Sequence, residues 1–157
     1  MEKAFAGPRL IADRLELVNL DPAVVAGTDP EDFAAIMAGP PAVHRYPQSM
    51  GARVQALAQV IVEEYDGDAA SLWTPVTSGA QLYQRLTALP GFGPQKAKIF
   101  VALLAKQLGV RPKGWQAAAG DYGLKGFRSV ADVVDDDSLL KVRETKRAAK
   151  AAAKASA

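Results

Sequence analysis

Apolar residues recur along this chain at helical spacing, in blocks separated by glycine and proline. Phe5, Leu10, Ile11, Leu15 and Val18 predict a first helix over residues 2–18, weakened at its start by Gly7-Pro8. Asp21-Pro22 opens a short turn or single helical turn that ends near Gly27. Asp29-Pro30-Glu31-Asp32 is a strong helix start. Thr28 or Asp29 caps it, Pro30 fits the first turn, and the acids face the positive dipole end. That helix runs over 31–38 and stops at Gly39-Pro40-Pro41, before a loop over 40–47. Val54, Leu57, Ala58, Ile61 and Tyr65 share one face of a long helix over 49–65, closed by Gly67.

The second half repeats the pattern. Thr77 or Ser78 caps a helix with Leu82, Leu86 and Leu89 on its buried face. A longer apolar block follows over 95–108, with Ile99, Phe100, Val101, Leu103, Leu104 and Leu108. Its middle is apolar nearly all round, so the helix is expected at the centre of the fold. Residues 115–119 suit a short helix and 120–126 a glycine-rich loop, and Ser129 caps a turn over 130–134. Asp135-Asp136-Asp137 caps a last helix from Ser138, which becomes Ala/Lys-rich. Past Val142 that helix has too few apolar residues to pack, so it reads as a solvated tail or an auxiliary backbone contact for a polyanion. No block alternates with period two. The fold class is all-α, with one helical domain over 1–140 and a basic tail over 141–157.

Between the two apolar blocks of the 81–108 hairpin stands Leu89-Pro90-Gly91-Phe92-Gly93-Pro94. Pro90 disfavours helix at Leu89, and Pro94 suits the first turn of the next helix. Gly91 and Gly93 are both expected to supply positive φ. The second helix thus opens with backbone N–H groups beside a small turn, an arrangement that binds anions, phosphate especially.

Charge sharpens this. The net charge of +2 is small but unevenly placed. Between Asp68 and Asp132 lie eight bases, Arg85, Lys96, Lys98, Lys106, Arg111, Lys113, Lys125 and Arg128, against the single acid Asp121. A phosphate-shaped turn in a one-signed segment points to a nucleic-acid backbone. The alternative is an αα-hairpin with a solvated lysine face. Cysteine is absent, so disulfides, thiolate zinc sites and iron–sulfur clusters are excluded; no cofactor is expected. No apolar run is long enough to span a bilayer and no signal-peptide core opens the chain, so a cytoplasmic location with no membrane partner is expected. His44 is the only histidine, which leaves a histidine-based metal site without a second ligand.

The run Leu86-x-x-Leu-Pro-Gly-Phe-Gly-Pro-x-x-Ala97-x-x-Phe100-Val101 resembles the helix-hairpin-helix of the HhH-GPD superfamily of base-excision DNA glycosylases. More narrowly, residues 89–109, 1–8 and 128–133 are similar to a small actinobacterial group of HhH-GPD-type repair proteins, and residues 45–55 to the family's helix start before the hairpin. The resemblance implies double-stranded DNA lying across the hairpin. Gly91, Phe92, Gly93, Gln95, Lys96 and Lys98 would contact it. One phosphate would sit on the turn, often with a monovalent cation at Gly91 and Gly93. A damaged or mispaired base would be turned out and its glycosidic bond hydrolysed. Arg45, Tyr46 and Trp115 are further candidates for DNA contact or base pocket.

Three departures from the family qualify that picture. Bifunctional members carry a lysine nucleophile just after the hairpin glycines; Gln95 stands in that register, and Lys96 is rotated by about 100° from it on a helix. Lyase chemistry is therefore not expected. The family's catalytic aspartate would fall near residues 113–115, where this chain has no acid. Asp121, beside Tyr122, is the available carboxylate, read either as a displaced catalytic group or as a plain loop aspartate. Relatives also begin with a helix bearing a Gln-Gln pair ahead of the segment equivalent to residues 1–5, so this chain reads as N-terminally truncated. Monofunctional excision and a binding module without chemistry both stand as readings, beside a helical protein that meets an acidic partner.

Overall fold

A computed structural model of the chain describes residues 2–155, with side chains from residue 6. The described residues form eight α-helices: α1 Glu2–Arg14, α2 Pro22–Gly27, α3 Pro30–Ala38, α4 Pro47–Tyr65, α5 Gly79–Ala88, α6 Pro94–Gln107, α7 Trp115–Ala119 and α8 Asp136–Ala155. Short 3-10 turns occupy Ala69–Leu72, Gly120–Gly123 and Val130–Asp132. The protein is all-α, and among the described residues the only strand-like pairing is one isolated bridge between Ser78 and Lys113. No helix among them is long and apolar enough to cross a membrane. The chain packs as two compact units, Glu2–Leu72 with Leu89–Gly91, and Trp73–Ala88 with the described residues from Phe92 onward.

In the first unit α2 and α3 both pack on α4. Ile11, Val25, Phe33, Met37 and Ala58 form the core, flanked by Leu15, Ile36, Val43, Met50 and Val54. Polar side chains finish the helix ends. Asp21 Oδ1 accepts from the Ala23 amide and Asp29 Oδ1 from the Glu31 and Asp32 amides, the caps that Asp-Pro spacing foretells. At the other end of α3 the Arg14 guanidinium donates to the carbonyls of Ile36, Gly39 and Pro41. A cation there satisfies carbonyls that the helix leaves unpaired and faces the negative dipole end. Gln55 Nε2 donates to the carbonyls of Val25 (3.2 Å) and Thr28 (2.7 Å), tying α2 to α4.

The first helix is shorter than its apolar spacing predicts. It ends at Arg14, Glu16 adopts a left-handed φ of 55°, and Val18 is 99% exposed. Its amide bonds explain the end: Leu17 N–H reaches back to Ala12, which breaks the register before Val18 could return to the buried face. Phe5 lies outside the described side chains.

In the second unit α5 buries Leu82 and Leu86 fully; Leu89, which belongs to the first unit, is 6% exposed, so all three are buried as their spacing predicts. Ser78 Oγ accepts from the Gln81 amide while Gln81 Oε1 accepts from the Thr77 amide, a reciprocal cap. Beside it, Gly79 N–H donates to the Lys113 carbonyl at 2.8 Å. A Cβ on Gly79 would stand 2.6 Å from Trp115 Cα, so the residue is glycine because two backbones cross there. Helix α6 contacts α5, α7 and both 3-10 turns that follow it. It buries Ala97, Val101, Ala102, Leu104 and Ala105, which places it centrally in its unit. Its middle is buried or half-buried throughout residues 99–107, as expected, and exposure comes at the ends: Lys96 and Lys98 near the start are exposed, and Leu108 just beyond the helix is 61% exposed. The 120–126 segment contains a 3-10 turn where a loop is expected, and α8 starts at Asp136, two residues early. Val142 is its last buried residue; the rest of the described helix is exposed.

Candidate functional site

The hairpin turn has two unlike glycines. Gly91 has φ +75°, the conformation that only glycine adopts without strain. Gly93 does not: it caps α6 at φ −72° and ψ 169°, which any residue can reach. The expectation of positive φ at both positions is thus corrected at Gly93, since Pro94 already presets the helix and the N-cap position asks for extended geometry. Yet a Cβ would meet nothing within 4 Å at either glycine. Both face open space. Gly93, the N-cap of α6, brings no side chain to its first turn, and Ala97 N–H returns to Gly93 O at 3.0 Å.

Phe92 is half-buried and meets Phe100 edge-on, centroids 5.6 Å apart, and Phe100 in turn meets Trp73 at 6.4 Å. The aromatic residue between the two glycines therefore anchors the turn. Lys96 is exposed, with Nζ 5.3 Å from the Phe92 ring centroid. That ring tethers the ammonium above the turn.

In the second unit the start of α6 borders an open groove of about 910 Å³. Gln95 and Lys98 of α6, Asp121 and Tyr122 of the 3-10 turn, Arg128, and Lys146 of α8 all border it. Gln95 Nε2 donates to the Tyr122 hydroxyl at 2.9 Å. Gln95 is thus a tether between α6 and the 3-10 turn that carries Asp121. Asp121 itself is exposed, and it is the only acid on the groove's border. Lys98 lies along Gly120 and also borders a second groove of about 510 Å³ with Tyr83 and Lys113. Arg128 is held at both its backbone and its side chain, whose Nε donates to the Lys125 carbonyl at 3.3 Å. Asp132 Oδ2 accepts from the Arg128 and Ser129 amides, and Ser129 Oγ accepts from the Ala131 amide in a capping box.

Other bases of the one-signed segment are consumed by the fold. Lys106 Nζ sits 2.6 Å from Asp132 Oδ1 and also donates to the Leu124 carbonyl. Arg111 Nε donates to the Ala105 carbonyl near the end of α6. The excess of eight bases over one acid therefore overstates the charge presented to a ligand, because Asp132, just outside that interval, folds back into it.

Trp115 is half-buried at the start of α7, under Gly79, and does not border the groove. In the first unit, the Arg45 guanidinium lies 4.7 Å from the Tyr46 ring centroid, and the Tyr46 amide donates to His44 Nδ1 at 3.1 Å. Tyr46 is 56% exposed and stands just before α4. No cluster of three or more His, Asp or Glu side chains among the described residues could hold a metal ion.

Comparison with protein-family models, with curated proteins and with solved structures finds no match to this chain.

The sites that sequence reasoning missed are Arg128 and Lys146 as groove residues and Tyr122 as a partner of Gln95. Residues 95 and 122 stand 27 apart, beyond any periodic signal. The basic stripe of the last helix was the one hint toward Lys146.

Proposed function

We propose that this protein binds duplex DNA through the 91–96 turn and the basic groove beside it, as a helix-hairpin-helix protein of the base-excision-repair type. The observation that carries the reading is the turn itself. Two glycines with open space over them precede an α-helix whose N-cap, Gly93, carries no side chain. A phosphate can approach the main chain there without meeting a side chain, and the dipole and Lys96 favour its charge. Lys98, Arg128 and Lys146 extend the favourable field along the groove.

Hydrolysis of a glycosidic bond is the chemistry that the family resemblance adds. Asp121 is the residue proposed for it: it shares the groove with those cations and is positioned through the Gln95–Tyr122 hydrogen bond. There it would stabilise cationic character at the sugar and direct the attacking water. Gln95 in place of lysine makes the reaction monofunctional.

The second reading is a DNA-binding module without chemistry. The exposure of Asp121 in an open groove favours it, because catalytic carboxylates gain strength from excluding water. Single-turnover excision on a panel of duplexes, each with one damaged or mispaired base, separates the two. The catalytic reading predicts base release on at least one duplex, abolished in Asp121→Asn with binding retained. Binding with no release on any duplex supports the module.

A further inference from the structure

The last helix is more than a solvated tail. Thr145, Lys146 and Ala149, one stripe of α8, border the same groove as Lys98 of α6 and Arg128. The Thr145 hydroxyl is turned back onto the Lys141 carbonyl at 3.0 Å, so Lys146 is the side chain that α8 offers to the groove. Three cations on three separate stretches of chain thus face one space with a single carboxylate between them. Their mutual repulsion opposes the fold, and a bound polyanion relieves it. Neither the Lys106–Asp132 nor the Lys141–Asp137 pair draws on them. Instead those two pairs fix the surroundings, since Asp132 holds the Arg128 backbone and Asp137 sits at the start of α8.

We propose that α8 is the far wall of the nucleic-acid groove. Lys146 holds a backbone phosphate of the duplex separate from the one on the glycine turn, and Arg128 and Lys98 hold neighbouring phosphates of the same strand. This rests on the reading of the protein as DNA-binding and adds to it a second phosphate site, on a helix that the hairpin resemblance does not include. The occupant is a nucleic-acid strand and not a small phosphate, because the space is open, about 910 Å³, and lined by cations on both sides.

The test compares the full chain, Lys146→Ala and Arg147→Ala in fluorescence-polarisation titrations of a labelled duplex between 50 and 200 mM KCl. Arg147 has the same charge and neighbours Lys146 but is turned about 100° round the helix. It does not border the groove. Leaving one phosphate without its cation should reduce the slope of log K against log salt by about 0.9. The expected result is a reduction of that size in Lys146→Ala and a slope close to that of the parent in Arg147→Ala, with equal helicity by circular dichroism. An unchanged slope in Lys146→Ala overturns the inference and leaves DNA binding at the turn intact. Equal reductions in both variants also overturn it, since α8 would then act only as diffuse charge. A parent that fails to bind the duplex removes the DNA-binding reading and this inference together.

Discussion

The two compact units are both helical but carry opposite charge. Residues 1–72 hold five Lys and Arg against eleven Asp and Glu, whereas residues 73–157 hold fourteen against six. In the first unit the charged side chains that hydrogen-bond to the backbone serve helix ends: Asp21 and Asp29 at N-termini, Arg14 at a C-terminus. In the second, charges divide between two tasks. Lys106, Arg111 and Asp132 hold the fold, while Lys98, Arg128 and Lys146 face the groove. The sign of a segment is therefore a poor guide to function until the charges spent on structure are removed. Of the bases in the second unit, Lys98, Arg128 and Lys146 border one groove.

Asp132 closes the capping box of the Val130–Asp132 turn in the second unit, whereas Asp29 is the N-cap of α3 in the first. Asp132 also accepts from Lys106 and lies at 10% side-chain exposure. Asp132→Ala leaves the Lys106 ammonium without its counter-charge and two amides without their acceptor in a partly buried site, at a cost of about 2–3 kcal/mol. Asp29→Ala removes an exposed cap and costs about 1 kcal/mol. Chemical denaturation of the two variants measures the difference. Equal losses would mean that Asp132 is an ordinary cap and Lys106 belongs with the ligand-facing cations.

A smaller effect separates the start of α8 from the rest of the second unit. The Ser138 hydroxyl, then its amide, hold the Asp135 carboxyl below its usual value. A depressed pKa stabilises the folded state at every pH above the unfolded value, about 4. The contribution is lost as pH falls below that through the folded value. An acid titration followed by circular dichroism should therefore leave α8 intact down to about pH 4 and fray it below. Asp135→Asn should remove that acid step. Fraying that begins near neutrality would show that Asp135 does not hold the helix start.

Local chemistry was legible in the sequence wherever partners lie within one helical turn. The Asp29 cap, the Leu82–Leu86–Leu89 face and the hairpin at Pro90–Pro94 all fall where their spacing places them. Long-range pairs were not. Lys106 and Asp132 stand 26 residues apart and Gln95 and Tyr122 27, and neither pair leaves a periodic trace. Val18 failed for a different reason. Its spacing suits a helix, but the chain turns at Glu16 before the residue is reached. Gly93 reads as a conformational glycine beside Gly91, yet its backbone is ordinary. Its lack of a side chain then finds its use, on the DNA-binding reading, in what approaches from outside.

That last point supplies the sharpest test. Gly93→Ala adds a Cβ where the backbone accepts one and nothing stands within 4 Å, so stability should change by about 1 kcal/mol or less. If main-chain amides of the turn hold a phosphate, the same methyl group intrudes on the strand. Duplex affinity, measured by fluorescence polarisation at 100 mM KCl, is then expected to fall about tenfold or more, equivalent to about 1.4 kcal/mol. A variant as stable as the parent that binds duplex DNA equally well would contradict docking at the glycine turn.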